Sequence, residues 1–286
     1  MRIFALILLG MSVSLHAKVY DCMTFFNEVK TLEIRLDELY DHVDYFVIVE
    51  GDVGFSGIRK EYVFPQYAHL FEKYKNKIKY FPLKEKTPFP NAYARSNDQK
   101  NSVYLGLINC TPNDIIIFSD LDEIPSAEAV ELLKMTLLSN EIVCFQQKLY
   151  RGCYNRRGNP VRDPDWMGSL GITYRALMKF GLGSLNMLRE QICFAGVRSF
   201  PEQELQVRVI QGGWHFTSIG SFEQYLAKMN NWEHFENPCP KTPEGRRAEV
   251  VSLHICEEID SSFPKYIQEH AEELFQEGYL DDSDEY

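Results

Sequence analysis

Asp120 and Asp122 stand one residue apart immediately after Ile115–Phe118, a continuous apolar run of strand type. In open α/β sheets ligands bind beyond the carboxyl ends of the strands, so an acidic turn at that place is a candidate for chemistry. With a single residue between them in a turn, both carboxylates can approach one ion. Hard divalent cations such as Mg²⁺ or Mn²⁺ take oxygen ligands and bind through few carboxylates plus substrate phosphates. Such a cation also stabilises charge on a departing diphosphate. The formal charge of −11 makes a nucleic-acid backbone an unsuitable partner. For an acidic protein to handle an anionic nucleotide, positive charge must be supplied locally, by Lys, Arg or a bound cation.

The same pattern admits other readings. An Asp-rich turn can be a solvated cap for the next helix. Phosphatases of the haloacid-dehalogenase type also place DxDx(T/V) after a buried strand, and there Asp120 would be the nucleophile. Against that reading, Ile124 fills the fifth position and the motif lies mid-chain.

The elements that would position the turn are legible as alternating patterns. Val19–Phe25 is β-rich, and Val29, Leu32, Leu36 and Leu39 recur at helical spacing over Glu28–Tyr40, with Asn27 as N-cap. Tyr45–Val49 is a short apolar run typical of a strand buried on both faces. Together they make a β–α–β unit, the building block of a parallel sheet. Helices are expected over 67–77, 92–108, 127–138 (capped by Ser126), 221–231 and 264–276, and strands over 78–81, 142–147 and 207–210. Residues 148–200 read as irregular and rich in aromatics, as functional loops are. The pattern predicts one α/β domain over 18–280 with a mostly parallel central sheet, followed by an acidic tail, 281–286.

Met1-Arg2, the apolar run Ile3–Leu15 and the small residue Ala17 describe a signal peptide over 1–17, hence export through the secretory route. The alternative is an uncleaved N-terminal anchor; with the signal removed, no stable membrane span is expected. Seven cysteines leave at least one unpaired in a monomer, and their pairing is open.

Five blocks in order resemble glycosyltransferase family 17: Tyr20–Glu28 (YDCMTFFNE) with Leu32–Leu39; Val43–Glu50 with Phe55–Gly57 and Lys60; Arg95, Gln99 and Asn101 ahead of Gly106; Asp114–Pro125; and Gly213–Thr217 (GWHFT) with Gly220, Lys228 and His234. Ser96 and Lys100 depart from the expected Glu and Arg, Ser218-Ile219 from Tyr-Leu, and 151–200 matches poorly. The resemblance implies a GT-A-type fold and inverting transfer of N-acetylglucosamine, as in N-glycan processing, from a UDP-sugar donor to a glycan acceptor. It implies a Mn²⁺ or Mg²⁺ site at Asp120 and Asp122, with His215 as third ligand or else a core histidine. Glu28 and Glu50 stand at the ligand edge of the sheet. Glu50 is a candidate for uracil or ribose, or a capping carboxylate; Lys60 and Arg95 can meet a diphosphate or form surface pairs; Trp214 can stack on a sugar. An inverting transfer needs a general base, for which Glu123 and Glu223 are the candidates, Glu123 being equally a helix cap. The alternatives to a transferase are the phosphatase and an exported glycan-binding protein without turnover.

Overall fold

The apolar runs become adjacent parallel strands. β1 (Val19–Thr24) pairs in parallel with β2 (Tyr45–Gly51) and β4 (Ile115–Phe118), and β2 with β3 (Ile78–Leu83). The structure is a computed structural model that describes residues 17–159, 161, 164–234 and 236–282. The proposed signal segment, apart from Ala17, and the tail beyond Asp282 lie outside the described residues. After β5 (Glu123–Ile124) the sheet is completed by β6 (Glu141–Arg151), β7 (Arg156–Gly158), β8 (Trp166–Thr173), β9 (Ser199–Phe200), β10 (Leu205–Thr217) and β11 (His254–Cys256). Its main path runs β11-β7-β6-β8-β4-β1-β2-β3. β8 is antiparallel to both β4 and β6, which makes the α/β sheet mixed on one side of a parallel centre.

Apolar cores cover both faces of that centre. Leu32, Leu36 and Leu39 of the Val29–Leu39 helix pack with Phe46, Ile48 and Ile117 on one face. Val47, Val49, Ile116 and Phe118 pack with Leu170, Leu185 and Leu188 on the other. Strands clothed on both sides cannot alternate apolar with polar, hence their continuous apolar runs. Among the described residues no helix is long and apolar enough to cross a membrane.

Several elements differ from the sequence expectation. The 67–77 helix is an α-turn, Phe64–Tyr67, followed by the 3-10 segment Ala68–Tyr74. The 92–108 helix stops at Asn101 and continues as 3-10 to Gly106. Asn27 is not an N-cap; Glu28 precedes the first helix and gives no side-chain cap bond. Ser126 caps as expected, and Ser221, expected inside its helix, is the N-cap in a full capping box with Gln224. Within 148–200 the described residues form β7, β8 and the Leu185–Arg189 helix, which are part of the sheet and its cover. Gly168 and Gly171 interrupt the strand pattern of β8, which concealed it.

One buried pair ties these layers to the acidic turn. Arg35 and Asp21 are both 0% exposed, and the guanidinium grips the carboxylate with two bonds, Nε to Oδ2 at 2.8 Å and Nη2 to Oδ1 at 2.6 Å. Arg35 Nη1 donates to the carbonyls of Asp120, Leu121 and Glu123 at 2.8, 3.1 and 3.1 Å, and Nη2 to Ser119 Oγ at 2.8 Å. A buried charge is tolerated when it is paired and hydrogen-bonded; here the bonds also set the path of the turn. Replacing Arg35 by Met strands Asp21 as an uncompensated buried charge. A loss of about 3–5 kcal/mol is expected in urea unfolding. The double variant Arg35→Met/Asp21→Leu should recover part of it, and an equal loss in both would exclude the pair as the cause.

Candidate active site

The Asp120 turn leaves the carboxyl end of β4, and β10 is brought beside it by strand register. In the antiparallel pairing of β10 with β5, His215 lies opposite Glu123 and Trp214 opposite Ile124, while Phe216 N–H donates to the Asp122 carbonyl at 2.8 Å. The approach requires glycine. Gly213 has φ +104°, and a Cβ there would collide with the Ile124 carbonyl.

The carboxylates face cations drawn from three distant helices. Asp120 Oδ2 accepts from Arg189 Nη2 at 2.8 Å, and Lys100 Nζ lies 3.3 Å from Asp120 Oδ1. Asp122 Oδ2 accepts from Lys228 Nζ at 2.6 Å, and Lys228 also lies 3.3 Å from Glu28 Oε1. Lys100 reaches outward to Glu233 at 2.6 Å. Desolvation alone would raise both aspartic carboxyls, but Arg189 and Lys100 hold Asp120 well below the usual range, and Lys228 lowers Asp122. Burial likewise works against the charged forms of Arg189 and Lys228, yet Asp120 and Glu123 raise the one and Asp122 and Glu28 the other. Asp120, Asp122, Lys100, Arg189 and Lys228 are therefore all charged at neutral pH.

Glu123 serves the turn from beneath. Its carboxylate, 1% exposed, accepts from Trp166 Nε1 at 2.6 Å, Arg189 Nη2 at 2.5 Å and the Asp120 N–H at 2.9 Å. Glu223 is exposed on the first turn of the Phe222–Met229 helix, where the backbone N–H and Ser221 lower its carboxyl. The sequence-derived donor residues separate. Glu28 joins the cluster through Lys228, whereas Glu50, 0% exposed, is spent on the 60–64 loop: it accepts from Lys60, the Val63 and Phe64 N–H groups, and Tyr80 Oη. Lys60 is paired with that carboxylate. Arg95 binds Glu85 at 2.7 Å and the Phe55 carbonyl at 2.7 Å. Trp214 packs with Phe216 on the side of β10 away from His215 and donates to the Ser262 carbonyl at 3.0 Å. It borders a cavity of about 670 Å³ whose lining contains neither Asp120 nor Asp122.

Sequence reasoning missed Arg189 and the Arg35–Asp21 pair, and gave Trp166, Lys100 and Lys228 no role at the turn. Trp166, rather than Trp214, is the indole at the turn, its ring 4.8 Å from that of His215. A signal existed for the buried pair: Asp21 interrupts an apolar strand, and Arg35 sits on the apolar stripe of its helix.

The donor set was tested against a divalent cation. His215 Nε2 lies 3.7 Å from Asp122 Oδ1, burial lowers the imidazole so that it is neutral, and its Nδ1 has no hydrogen-bond partner. Five carboxylates (Glu28, Asp120, Asp122, Glu123, Glu233) meet three cations (Lys100, Arg189, Lys228), leaving the two negative charges that one divalent ion matches. Among the described residues no three His, Cys, Asp or Glu form a preassembled metal cluster. The residues fit an ion that draws its remaining ligands from a diphosphate, as Mg²⁺ commonly does.

Comparison with known proteins places these features in context. The model of glycosyltransferase family 17 matches residues 10–170, more than half of the chain. No curated protein matches significantly. Among solved structures the chain is similar to glucosyl-3-phosphoglycerate synthase of Mycobacterium tuberculosis in complex with phosphoglyceric acid (12% identity, TM-score 0.38, 69% of this chain and 71% of that one). It is also similar to the bifunctional glycosyltransferase WbbM (12%, 0.34, 60% and 34%). A third is a glycosyltransferase involved in glycosylating the major capsid of PBCV-1 (11%, 0.34, 68% and 81%).

The depressed carboxyls imply a sign for acid unfolding. Asp120 and Asp122 contribute stability that is complete above about pH 4 and lost as pH falls through their folded-state values. In EDTA-treated protein, Asp120→Asn/Asp122→Asn should flatten the decline of unfolding free energy below about pH 4; an unchanged slope places that decline elsewhere. Gly168 is a second test, because an added Cβ there would strike Glu123 Oε1 and Trp166 Nε1. Gly168→Ala is expected to cost about 1–3 kcal/mol by overpacking, read as a lower thermal midpoint.

Proposed function

The chain belongs to glycosyltransferase family 17, and from that premise we propose that it moves N-acetylglucosamine from a UDP donor to a glycan hydroxyl with inversion, assisted by a divalent cation. The family's GT-A-type α/β fold agrees with the sheet described above. One observation carries the reading of the site: an acidic turn at the carboxyl edge of the parallel strands, ringed by Lys100, Arg189 and Lys228. Those three cations offset most of the carboxylate charge there, and a divalent ion matching the remaining two negative charges would let a diphosphate approach.

In this reading Asp120, Asp122 and His215 hold Mn²⁺ or Mg²⁺. The bound ion would act as a Lewis acid on the leaving diphosphate. Lys228 and Lys100, each bonded to a carboxylate of the cluster, stand ready to share their N–H donors with phosphate oxygens. Arg189 keeps Asp120 ionised and holds both Asp120 and Glu123 in place. Glu123, closed on both oxygens, positions the turn and Trp166. The acceptor hydroxyl must lose a proton as it attacks the anomeric carbon, and Glu123 and Glu223 are separable as sources by substitution. Export through the secretory route remains part of this proposal, since a glycan acceptor resides there.

The test is UDP release from UDP-N-acetylglucosamine with Mn²⁺, with and without EDTA. Asp122→Ala should abolish metal-dependent donor binding while the far-UV spectrum is retained. Lys228→Ala should weaken donor binding about 10–100-fold, the scale of one lost charge-assisted contact. Glu123→Gln should reduce donor binding and transfer together; selective loss of transfer would instead make it the base. Phosphate release from generic phosphoesters without a donor effect would favour the phosphatase, and glycan binding without any turnover the non-catalytic reading.

A further inference from the structure

Cys144 lies in the middle of β6 and is 0% exposed; Cys193 lies in the wide turn Glu190–Phe194 that continues the Leu185–Arg189 helix, and is 8% exposed. Their sulfur atoms are 3.3 Å apart although the residues are 49 positions apart in the chain. That separation is below the van der Waals contact of two sulfurs, about 3.6 Å, and little more than 1 Å above a disulfide bond length. Among the described residues no salt bridge or strand ladder links Cys193 to β6; Ile192 and Cys193 pack with Ile142 and Cys144 in one apolar cluster, and the thiol pair is a direct contact within it. Cys193 lies four residues beyond Arg189, whose guanidinium binds Asp120, Glu123 and the Gly168 carbonyl.

We propose that Cys144 and Cys193 are a covalent modification site, an intrachain disulfide that fastens the Arg189-bearing helix to the sheet. The oxidant is a small-molecule disulfide. The Cys193 thiolate attacks one of its sulfurs and releases one thiol, forming a mixed disulfide. Cys144, as thiolate, then attacks the Cys193 sulfur and releases the second thiol. The two cysteines lose two electrons and two protons, and the small disulfide is reduced to two thiols. With both sulfurs buried, the exchange takes place during folding or local opening. The bond closes a long loop, the condition under which a crosslink most restricts the unfolded chain. It also prevents the Arg189 helix from lifting off Asp120 and Glu123. This inference is independent of the sugar-transfer reading.

The experiment equilibrates the full chain with oxidised and reduced glutathione, blocks free thiols with an alkylating agent under denaturing conditions, and maps peptides without reduction. One linked peptide pair through Cys144 and Cys193, two hydrogens lighter than the separate peptides, is expected; phosphine reduction should separate it. The oxidised chain should melt about 5–10 °C above the reduced chain. It should also resist proteolysis within 185–194. Cys193→Ala, or Cys144→Ser where the first variant does not accumulate, should remove both the linked pair and the redox dependence of melting. Complete alkylation of both residues in the oxidised chain, or their linkage to other cysteines, overturns the site. A linked pair with unchanged melting and proteolysis overturns the fastening role.

Discussion

A guanidinium cut off from water must find an acceptor for every N–H it carries. Arg35 finds them in Asp21, Ser119 and the carbonyls of the Asp120–Glu123 turn. Its charge is cancelled within the first β–α unit by the Asp21 carboxylate, so the arrangement carries no net charge into the core. The backbone of the acidic turn is thus held by the helix that follows β1, although some eighty positions separate them. A turn anchored through its carbonyls can aim its side chains elsewhere. That freedom is what lets Asp120 and Asp122 face outward as a pair.

Outward of that anchor, the carboxylates are met by cations that no single element could supply. Lys100 comes from the helix before β4, Arg189 from the helix after β8 and Lys228 from the helix after β10. Each would be costly to bury alone, and each is offset by the same acidic turn. The convergence reconciles an overall charge of −11 with an anionic donor. Three cations at one edge of the sheet offset most of its carboxylate charge, the remainder being what a divalent ion would match, while Glu28 and Glu233 keep the two lysines from recoiling into solvent.

Glu50, Lys60, Arg95 and Trp214 each have their polar groups engaged away from the acidic turn in this fold. Glu50 does end β2 at the carboxyl edge, yet its oxygens are consumed by the loop that follows. Trp214 is adjacent to His215 in sequence, and for that reason faces the other side of β10. Trp166 and Arg189 belong to a stretch that looks irregular because glycines break its periodicity. In the fold, Gly168 is what allows Trp166 and Glu123 to meet.

Local pattern was sufficient for the β–α–β start, the buried strand before Asp120, the serine cap at Ser126, and the family. These depend on apolar spacing and short motifs, which a chain displays residue by residue. The length of β10, the mixed character of the sheet beyond β4, and the partners of the acidic turn depended on tertiary structure. Strand register and the meeting of Arg35, Lys100, Arg189 and Lys228 with Asp21, Asp120, Asp122 and Glu123 are long-range pairings, chosen by which buried charges can satisfy one another. A sequence shows that such charges exist among apolar neighbours; only the folded chain decides which of them meet, because desolvation penalises every other pairing.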